Sequence, residues 1–134
     1  MSKTSGSLAA PAEGQTHERV AIKMVSAVIR RERLDLVKEA LNKLNLVGGI
    51  TLTEVRGFGR QKGSLEHYMG IPYRARLLDK IKIEMAVAEE DVRQVVTLIS
   101  QLAHTGKVGD GKIFISEVKA VLRIRTGERG VSAL

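Results

Sequence analysis

The sequence alternates between two hydrophobic periods in an order that few folds accommodate. Apolar residues spaced three and four apart recur at Leu34–Leu44 and again at Val92–Ala103, and this spacing predicts two helices, each with one buried face. Gly48 and Gly49 predict the end of the first helix. Segments that are β-branched or alternate between apolar and polar residues predict strands. The predicted strands are Val20–Ile29, Thr51–Val55, Lys80–Val87, Lys112–Val118 and a short final piece, Val121–Ile124.

The resulting order is strand, helix, strand, long loop, strand, helix, strand. It predicts an α+β fold of the ferredoxin-like split βαβ type. Two helices can cover only one face of a four-stranded antiparallel sheet, so we expect the other face to meet water or another subunit. Residues 1–17 are rich in Ser, Gly, Ala and Thr and predict a flexible tail, which leaves residues 18–134 as one domain.

Composition excludes several function classes. The chain has no cysteine, which excludes disulfides, thiolate zinc sites, iron–sulfur clusters and a cysteine nucleophile. The 22 Lys and Arg residues outnumber the 15 Asp and Glu residues, which favours anionic partners such as nucleotides or phosphorylated metabolites. The sequence has no apolar run long enough to span a bilayer, and it has no secretory signal. We therefore expect a cytoplasmic protein.

The first candidate anion site is the glycine-punctuated segment Gly57–Gly63. Its glycines allow the backbone to approach a ligand closely, and Arg60 and Lys62 supply positive charge. A dinucleotide-binding motif would need glycine where Lys62 stands. A phosphate-binding loop and a plain solvated turn are therefore equal alternatives on spacing alone.

The second candidate is the glycine-rich segment Thr105–Lys112. Gly106, Gly111 and Lys112 match the first part of the P-loop spacing, but Ile113 stands where a P-loop has Ser or Thr, and a strand follows instead of a helix. Phosphate transfer is therefore not expected. A phosphate-binding loop remains, with a hairpin turn as the alternative.

The third candidate is the pair Arg123 and Arg125. On the predicted final strand they would share one sheet face, where two guanidinium groups suit a phosphate chain. A charged, solvated edge strand is the alternative.

The sequence gives little support for nucleic-acid binding or for catalysis. The four aromatic residues do not form the base-stacking pattern of RNA-binding sheets, so we expect no nucleic-acid partner. These residues are Phe58, Tyr68, Tyr73 and Phe114. No candidate carboxylate is paired with a nucleophile, so we expect a protein that is not an enzyme. The carboxylates considered are Asp79, Glu84 and Asp110.

Four motifs in one order resemble the PII nitrogen-regulatory signalling proteins. They are Thr53–Gly63, Lys80–Glu84, Thr105–Phe114 and Arg123–Glu128, and the resemblance covers about Lys23 to Glu128. It implies a homotrimer of ferredoxin-like subunits that binds ATP or ADP in the clefts between neighbours. It also implies 2-oxoglutarate as an effector, bound together with ATP and Mg²⁺.

The resemblance also implies site residues. One side of the nucleotide site would be formed by Gly57, Phe58, Gly59, Arg60, Gln61 and Lys62. The phosphates would be cradled by Gly109, Asp110, Gly111 and Lys112, and reached from the adjacent subunit by Arg123 and Arg125. Thr51, Val28 and Ala86 match positions near the adenine or its strand. Gln61 would complete the magnesium site, and Lys80, in one motif with Glu84, would pair with a carboxylate of 2-oxoglutarate.

The long excursion from Gly59 to about Leu77 resembles the T-loop, the arm with which the family docks on a membrane transporter or a nitrogen-assimilation enzyme. Tyr73 matches the tyrosine that is uridylylated in many bacterial members, although Pro72 restricts the backbone before it. Met69 replaces a basic residue of the channel-blocking members, and Ile71 stands at a phosphorylated serine. An alternative is therefore a PII-like regulator that responds to adenine nucleotides alone and controls a different transporter or enzyme.

Overall fold

The computed structural model describes residues 21–57 and 78–134. The predicted tail, residues 1–17, and the predicted loop, residues 59–77, lie outside these ranges and stay predictions. Within the described ranges the chain forms four strands and two α-helices. The elements are β1 (Ile22–Arg30), α1 (Leu34–Leu44), β2 (Thr51–Gly57), β3 (Leu78–Ala88), α2 (Val92–Ala103) and β4 (Gly111–Glu117).

The strands form one antiparallel sheet in the order β2-β3-β1-β4. β1 is central because it pairs with β3 along its whole length, from Ile22 opposite Ala88 to Arg30 opposite Lys80. The non-consecutive neighbours require the helical crossovers of a split βαβ fold. The predicted ferredoxin-like class is confirmed.

The core lies between one face of the sheet and the two helices. Alternate residues of the two central strands point toward the helices, so the period-two pattern becomes one apolar layer. Facing side chains of both helices complete it, and each fully buried aliphatic side chain contributes about 1.5–3 kcal/mol relative to exposure. The core residues include Val25, Ala27, Ile29, Ile81, Ile83, Met85, Val37, Leu41, Val95 and Ile99.

Local backbone chemistry corrects the predicted end of the first helix. α1 ends at Leu44, and Asn45 follows it in the left-handed conformation, with φ 54° and ψ 30°. Asparagine tolerates this conformation better than most residues and commonly ends a helix in this way. The prediction that Gly48 and Gly49 end the helix is therefore wrong by several residues.

The predicted final strand, Val121–Ile124, is also wrong. The chain leaves the sheet after Glu117, and in the described residues the segment has a single bridge, Leu122 to Arg129. It folds back on itself through a turn in which the amide of Gly127 donates to the carbonyl of Arg123 at 2.7 Å. β-Branched residues favour a strand only where a partner strand is available, and here the segment does not join the edge of β4.

The face of the sheet opposite the helices has no covering layer within the described residues. It carries the partly buried side chains of Met24, Val28 and Ala86 beside Lys82 on neighbouring strands. Phe114 on β4 lies opposite Ser26 on this face and is 55% exposed. This face also carries polar and charged residues such as Ser26 and Glu84, and its exposed aromatic ring is suited to contact with another protein surface.

Gly111, at the start of β4, is required by a close approach between strands. Its φ is +101°, and a Cβ atom there would lie 1.7 Å from the carbonyl oxygen of Val28 on β1. We expect Gly111→Ala to lower the free energy of unfolding by at least about 2 kcal/mol, because the new atom cannot fit without moving β4.

Chemical denaturation checks this expectation, with Gly49→Ala as the matched control. A Cβ at Gly49 meets nothing within 4 Å, so the control should stay within about 0.5 kcal/mol of the wild type. Equal stabilities for the two variants would contradict the close packing at Gly111.

Candidate functional site

The glycine-rich segment 105–110 folds around the carboxylate of Asp110. One carboxylate oxygen accepts hydrogen bonds from the backbone amides of Thr105 at 2.7 Å and Gly106 at 2.9 Å. The other accepts a hydrogen bond from the Thr105 hydroxyl. An aspartate that bonds nearby amides commonly fixes a turn. The loop therefore has a defined shape, set by its own carboxylate.

Two cations attach this loop to the sheet. The Arg30 side chain donates through Nε to Asp110 at 2.9 Å and through Nη2 to the carbonyl of Val108 at 2.7 Å. The Lys80 ammonium donates to the carbonyl of Gly109. Arg30 and Lys80 are direct partners across the β1–β3 pair. The register of the sheet thus places two positive charges under the loop.

Burial shifts the pKa of Lys80, and hydrogen bonds shift the pKa of Asp110. Partial burial and the neighbouring Arg30 lower the pKa of Lys80, and the nearby Asp110 opposes this shift only in part. Hydrogen bonds from Thr105 and Arg30 hold the pKa of Asp110 well below its usual range. The loop thus surrounds the two cations with one carboxylate and two carbonyl oxygens.

Within the predicted phosphate cradle, Gly109 to Lys112, these contacts leave only some residues available to bind an anion. The carboxylate of Asp110 faces its own loop and Arg30, so it positions the segment and does not itself offer a donor. The glycine at Gly111 accommodates β1, as shown above. Among the four, the Lys112 side chain is exposed at the loop's edge and carries the positive charge an anion needs.

Arg123 and Arg125 lie at a different place in the fold. Both line an open cleft of about 590 Å³. The cleft is lined by Gly48, Gly49, Ala86, Val121, Arg123, Arg125, Ala133 and Leu134. The prediction that the two guanidinium groups share one face of a final strand is wrong, because that strand is absent from the described part of the chain. The turn instead brings both side chains to this cleft.

The arginine cleft and the glycine loop are at opposite ends of the sheet. The loop contacts β3 at Lys80, whereas the cleft contacts β3 at Ala86. Six residues of strand separate these positions, a distance of about 20 Å. The two arginines and the glycine loop of one chain therefore cannot contact the same phosphate group.

The remaining predicted residues divide between these two ends or lie outside the described ranges. Thr51 begins β2 opposite Glu84, near the arginine cleft. Gly57 ends β2 opposite Leu78, near Lys80, and Val28 pairs with Lys112 on the open face. Outside the described residues are Phe58, Gly59, Arg60, Gln61, Lys62 and Tyr73.

Sequence reasoning missed Arg30. It follows the apolar stretch of β1, and no local motif marks it. The signal that could have found it is its place in the strand: continuing the period of two puts Arg30 on the same face as Val28, and pairing with the alternating strand puts it opposite Lys80.

Two further properties concern metals and membranes. In residues 21–57 and 78–134, His, Asp and Glu side chains form no group of three that could hold a metal ion. No helix in that part of the chain is long and apolar enough to cross a membrane. The proposed magnesium residue, Gln61, is not among the residues described.

Comparisons with known proteins agree with the fold and the motifs. The family model described as nitrogen regulatory protein P-II matches residues 22–128. The chain is 46% identical over 113 residues to nitrogen regulatory protein GlnK of Escherichia coli (strain K12). It is 49% identical over 113 residues to nitrogen regulatory protein P-II of Rhizobium meliloti (strain 1021). Both alignments cover 84% of this chain and 100% of the relative.

A solved structure gives the same result. The fold is similar to that of Arabidopsis thaliana PII bound to citrate, with a TM-score of 0.69 and 36% identity. This comparison covers 85% of this chain and 92% of the other. The split βαβ fold with its glycine loop is thus shared with a class of nitrogen regulatory proteins. The chain belongs to the nitrogen regulatory protein P-II family.

The Asp110 network predicts a dependence of stability on pH. The pKa of Asp110 is lower in the folded state than in the unfolded state. The ionised carboxylate therefore stabilises the fold fully at pH values above its unfolded pKa of about 3.9, and this stabilisation is lost as the pH falls below that value toward the folded pKa. We expect Asp110→Asn to lower the melting temperature at about pH 7 and to match the wild type more closely toward about pH 2.

Melting curves across this pH range test the expectation. Asp35→Asn is the matched control, because it removes the same charge from a side chain that is 95% exposed. A control that lowers the melting temperature at neutral pH as much as Asp110→Asn would show that the effect comes from net charge and not from the loop.

Proposed function

We propose that this chain is a PII signalling protein that binds ATP or ADP in clefts between the subunits of a homotrimer. In this proposal 2-oxoglutarate binds together with Mg²⁺-ATP, and the ligand state sets the conformation of the T-loop. The T-loop in turn regulates an enzyme or a transporter of nitrogen metabolism. The observation that carries the proposal is the separation of the glycine loop and the arginine cleft to opposite ends of one subunit.

The separation favours a site shared between subunits. Arg123 and Arg125 lie about 20 Å along the sheet from the loop that ends at Lys112. Two such half-sites can act on one phosphate chain only when the cleft of one copy meets the loop of another. A closed ring of copies brings every half-site into use, and a trimer is the form that the family resemblance implies.

The chemistry of each half-site suits a nucleotide. Guanidinium groups bind phosphate oxygens through two parallel N–H donors, and Lys112 adds a point charge. Thr51 and Ala86, near the arginine cleft, are proposed to lie beside the adenine, together with Val28. On the T-loop side, the proposed contacts come from Gly57 to Lys62.

The cations under the loop suit an organic acid. Lys80 and Arg30 are cations side by side across the β1–β3 pair, so a carboxylate placed there would be attracted to both. Partial burial and Arg30 lower the pKa of Lys80, and a carboxylate would oppose this shift. We assign this place to 2-oxoglutarate, and we assign Glu84, which lies opposite Thr51, to the nucleotide end of the same strand. Mg²⁺, held by ATP phosphates and Gln61, would supply positive charge between the nucleotide and this metabolite.

Regulation then follows from population shift. Ligands in one cleft change the T-loop only if they bind its conformers with different affinities. Tyr73 is proposed as a position of covalent modification. We place the protein in the cytoplasm, residues 1–17 as a tail and residues 18–134 as the PII-like domain, and we assign it no enzymatic activity and no nucleic-acid partner. The alternative is a PII-like regulator that senses adenine nucleotides alone and acts on a different transporter or enzyme.

We expect Arg125→Ala to weaken binding of Mg²⁺-ATP about tenfold, because it removes a charge-assisted phosphate contact. Isothermal titration calorimetry measures the affinity. Arg93→Ala is the matched control, since it removes the same charge from an exposed position on α2. Equal losses for the two variants would assign the effect to general electrostatics.

The same titration with 2-oxoglutarate separates the proposal from its alternative. We expect the metabolite to tighten ATP binding in the wild type and not in Gln61→Ala. ATP binding that is indifferent to 2-oxoglutarate in the wild type would favour the nucleotide-only regulator. Wild-type protein that binds neither ATP nor ADP would overturn both.

We expect Phe114→Glu to dissociate the trimer, because it places a charge on the open face of the sheet. Ile115→Glu is the matched control: Ile115 is the next residue of β4, is 50% exposed and faces the helix side. Light scattering after size-exclusion chromatography gives the mass, and melting curves verify that both variants fold. A trimeric Phe114→Glu protein would contradict this interface.

A further inference from the structure

The two arginines of the cleft differ in one respect. The Arg123 guanidinium donates from Nη1 to a carboxylate oxygen of Glu128 at 3.0 Å and from Nε to the carbonyl of Ala133 at 3.3 Å. Its Nη2 donates to the backbone oxygen of Leu134. Arg125 lines the same cleft, and its side chain makes no hydrogen bond or ion pair with other residues of the described ranges.

The turn between residues 123 and 128 aims the Glu128 carboxylate at Arg123. The amide of Arg123 donates to the carbonyl of Glu128 at 2.8 Å, and the amide of Gly127 donates to the carbonyl of Arg123 at 2.7 Å. The Thr126 hydroxyl donates to the same carboxylate oxygen of Glu128 at 2.8 Å. The carboxylate is therefore held in place by the turn before any ligand arrives.

We propose that Glu128 is an internal competitor for phosphate at Arg123 and thereby sets the affinity of the cleft for a phosphate chain. A carboxylate and a phosphate offer the same guanidinium the same kind of acceptor oxygen. Glu128 engages Nη1 of Arg123, and the backbone oxygens of Ala133 and Leu134 engage Nε and Nη2. A phosphate that binds through two parallel donors must therefore displace one of these acceptors, and Glu128 is the one with a side chain that can move away, whereas Arg125 is available at once. This inference rests on the proposed function, since it concerns the nucleotide cleft.

The exposure of the pair makes displacement feasible. The side chain of Arg123 is 33% exposed and that of Glu128 is 43% exposed. Ion pairs that are this accessible to water are weak, and a multiply charged phosphate chain can replace one carboxylate. The competition therefore lowers affinity by a modest factor and does not abolish binding.

The opposite role is a positioning one, in which Glu128 holds Arg123 ready for the ligand. The two roles predict opposite changes in ATP affinity when the charge of Glu128 is removed. We expect Glu128→Gln, which keeps the shape of the side chain and removes its charge, to tighten Mg²⁺-ATP binding about twofold to fivefold. If Glu128 positions Arg123, the same variant should weaken binding.

Calorimetric titrations of ATP, adenosine and inorganic tripolyphosphate test the proposal. The increase in affinity of the Glu128→Gln variant should be present for ATP and tripolyphosphate and absent for adenosine. Glu39→Gln is the matched control, because it removes the same charge from an exposed helix-surface pair with Lys43. In an Arg123→Ala background, Glu128→Gln should give no gain, since the competing contact is already lost.

The outcomes separate this proposal from the proposed function. Wild-type protein that binds ATP, together with a Glu128→Gln variant that binds it equally or more weakly, overturns the competitor role and leaves the nucleotide site intact. Wild-type protein that does not bind ATP overturns the nucleotide site, and tripolyphosphate then decides the competitor role alone. A gain of the same size in Glu39→Gln also overturns it.

Discussion

The pairing of Arg30 with Lys80 across β1 and β3 is the constraint on which the site depends. Nine residue pairs fix the register of these strands, and the last pair places two cations side by side. Like charges directly opposite each other are destabilising in a sheet. The loop at residues 105–110 relieves this repulsion, because it brings the carboxylate of Asp110 and two carbonyl oxygens to the pair. The loop and the strands are therefore one electrostatic unit.

The same sheet explains why the proposed nucleotide site requires more than one copy of the chain. Both helices pack on one face, which leaves the other face of the described residues without a covering layer, and that face runs between the glycine loop and the arginine cleft. A contact between copies through this face would cover Phe114 and would also bring different ends of neighbouring sheets together. The burial of Phe114 and the assembly of the nucleotide site would then both follow from the split βαβ topology.

Sequence patterns predicted the elements whose packing is decided locally. Strict alternation at Ile81, Ile83 and Met85 marked β3, and the apolar spacing of α2 marked its buried face. Apart from the end of α1, which a left-handed Asn45 sets, the errors arose where a residue's partner is distant in sequence or absent. Val121 to Ile124 has strand-forming residues but no partner strand, and Arg30 gains its meaning only from the register with Lys80. Arg123 and Arg125 line one cleft without that strand, because residues two apart also stay near each other in a turn.

The glycine loop and the arginine cleft each contain a carboxylate paired with an arginine, and the surroundings of the two carboxylates assign them different roles. Asp110 accepts hydrogen bonds from two backbone amides, a hydroxyl and Arg30, and is 21% exposed. Removing it would leave several donors without an acceptor, so a ligand cannot replace it cheaply. Glu128 accepts hydrogen bonds from one hydroxyl and one guanidinium at a more exposed position. Water and phosphate can satisfy both donors, so the cleft can exchange this carboxylate while the loop retains its own.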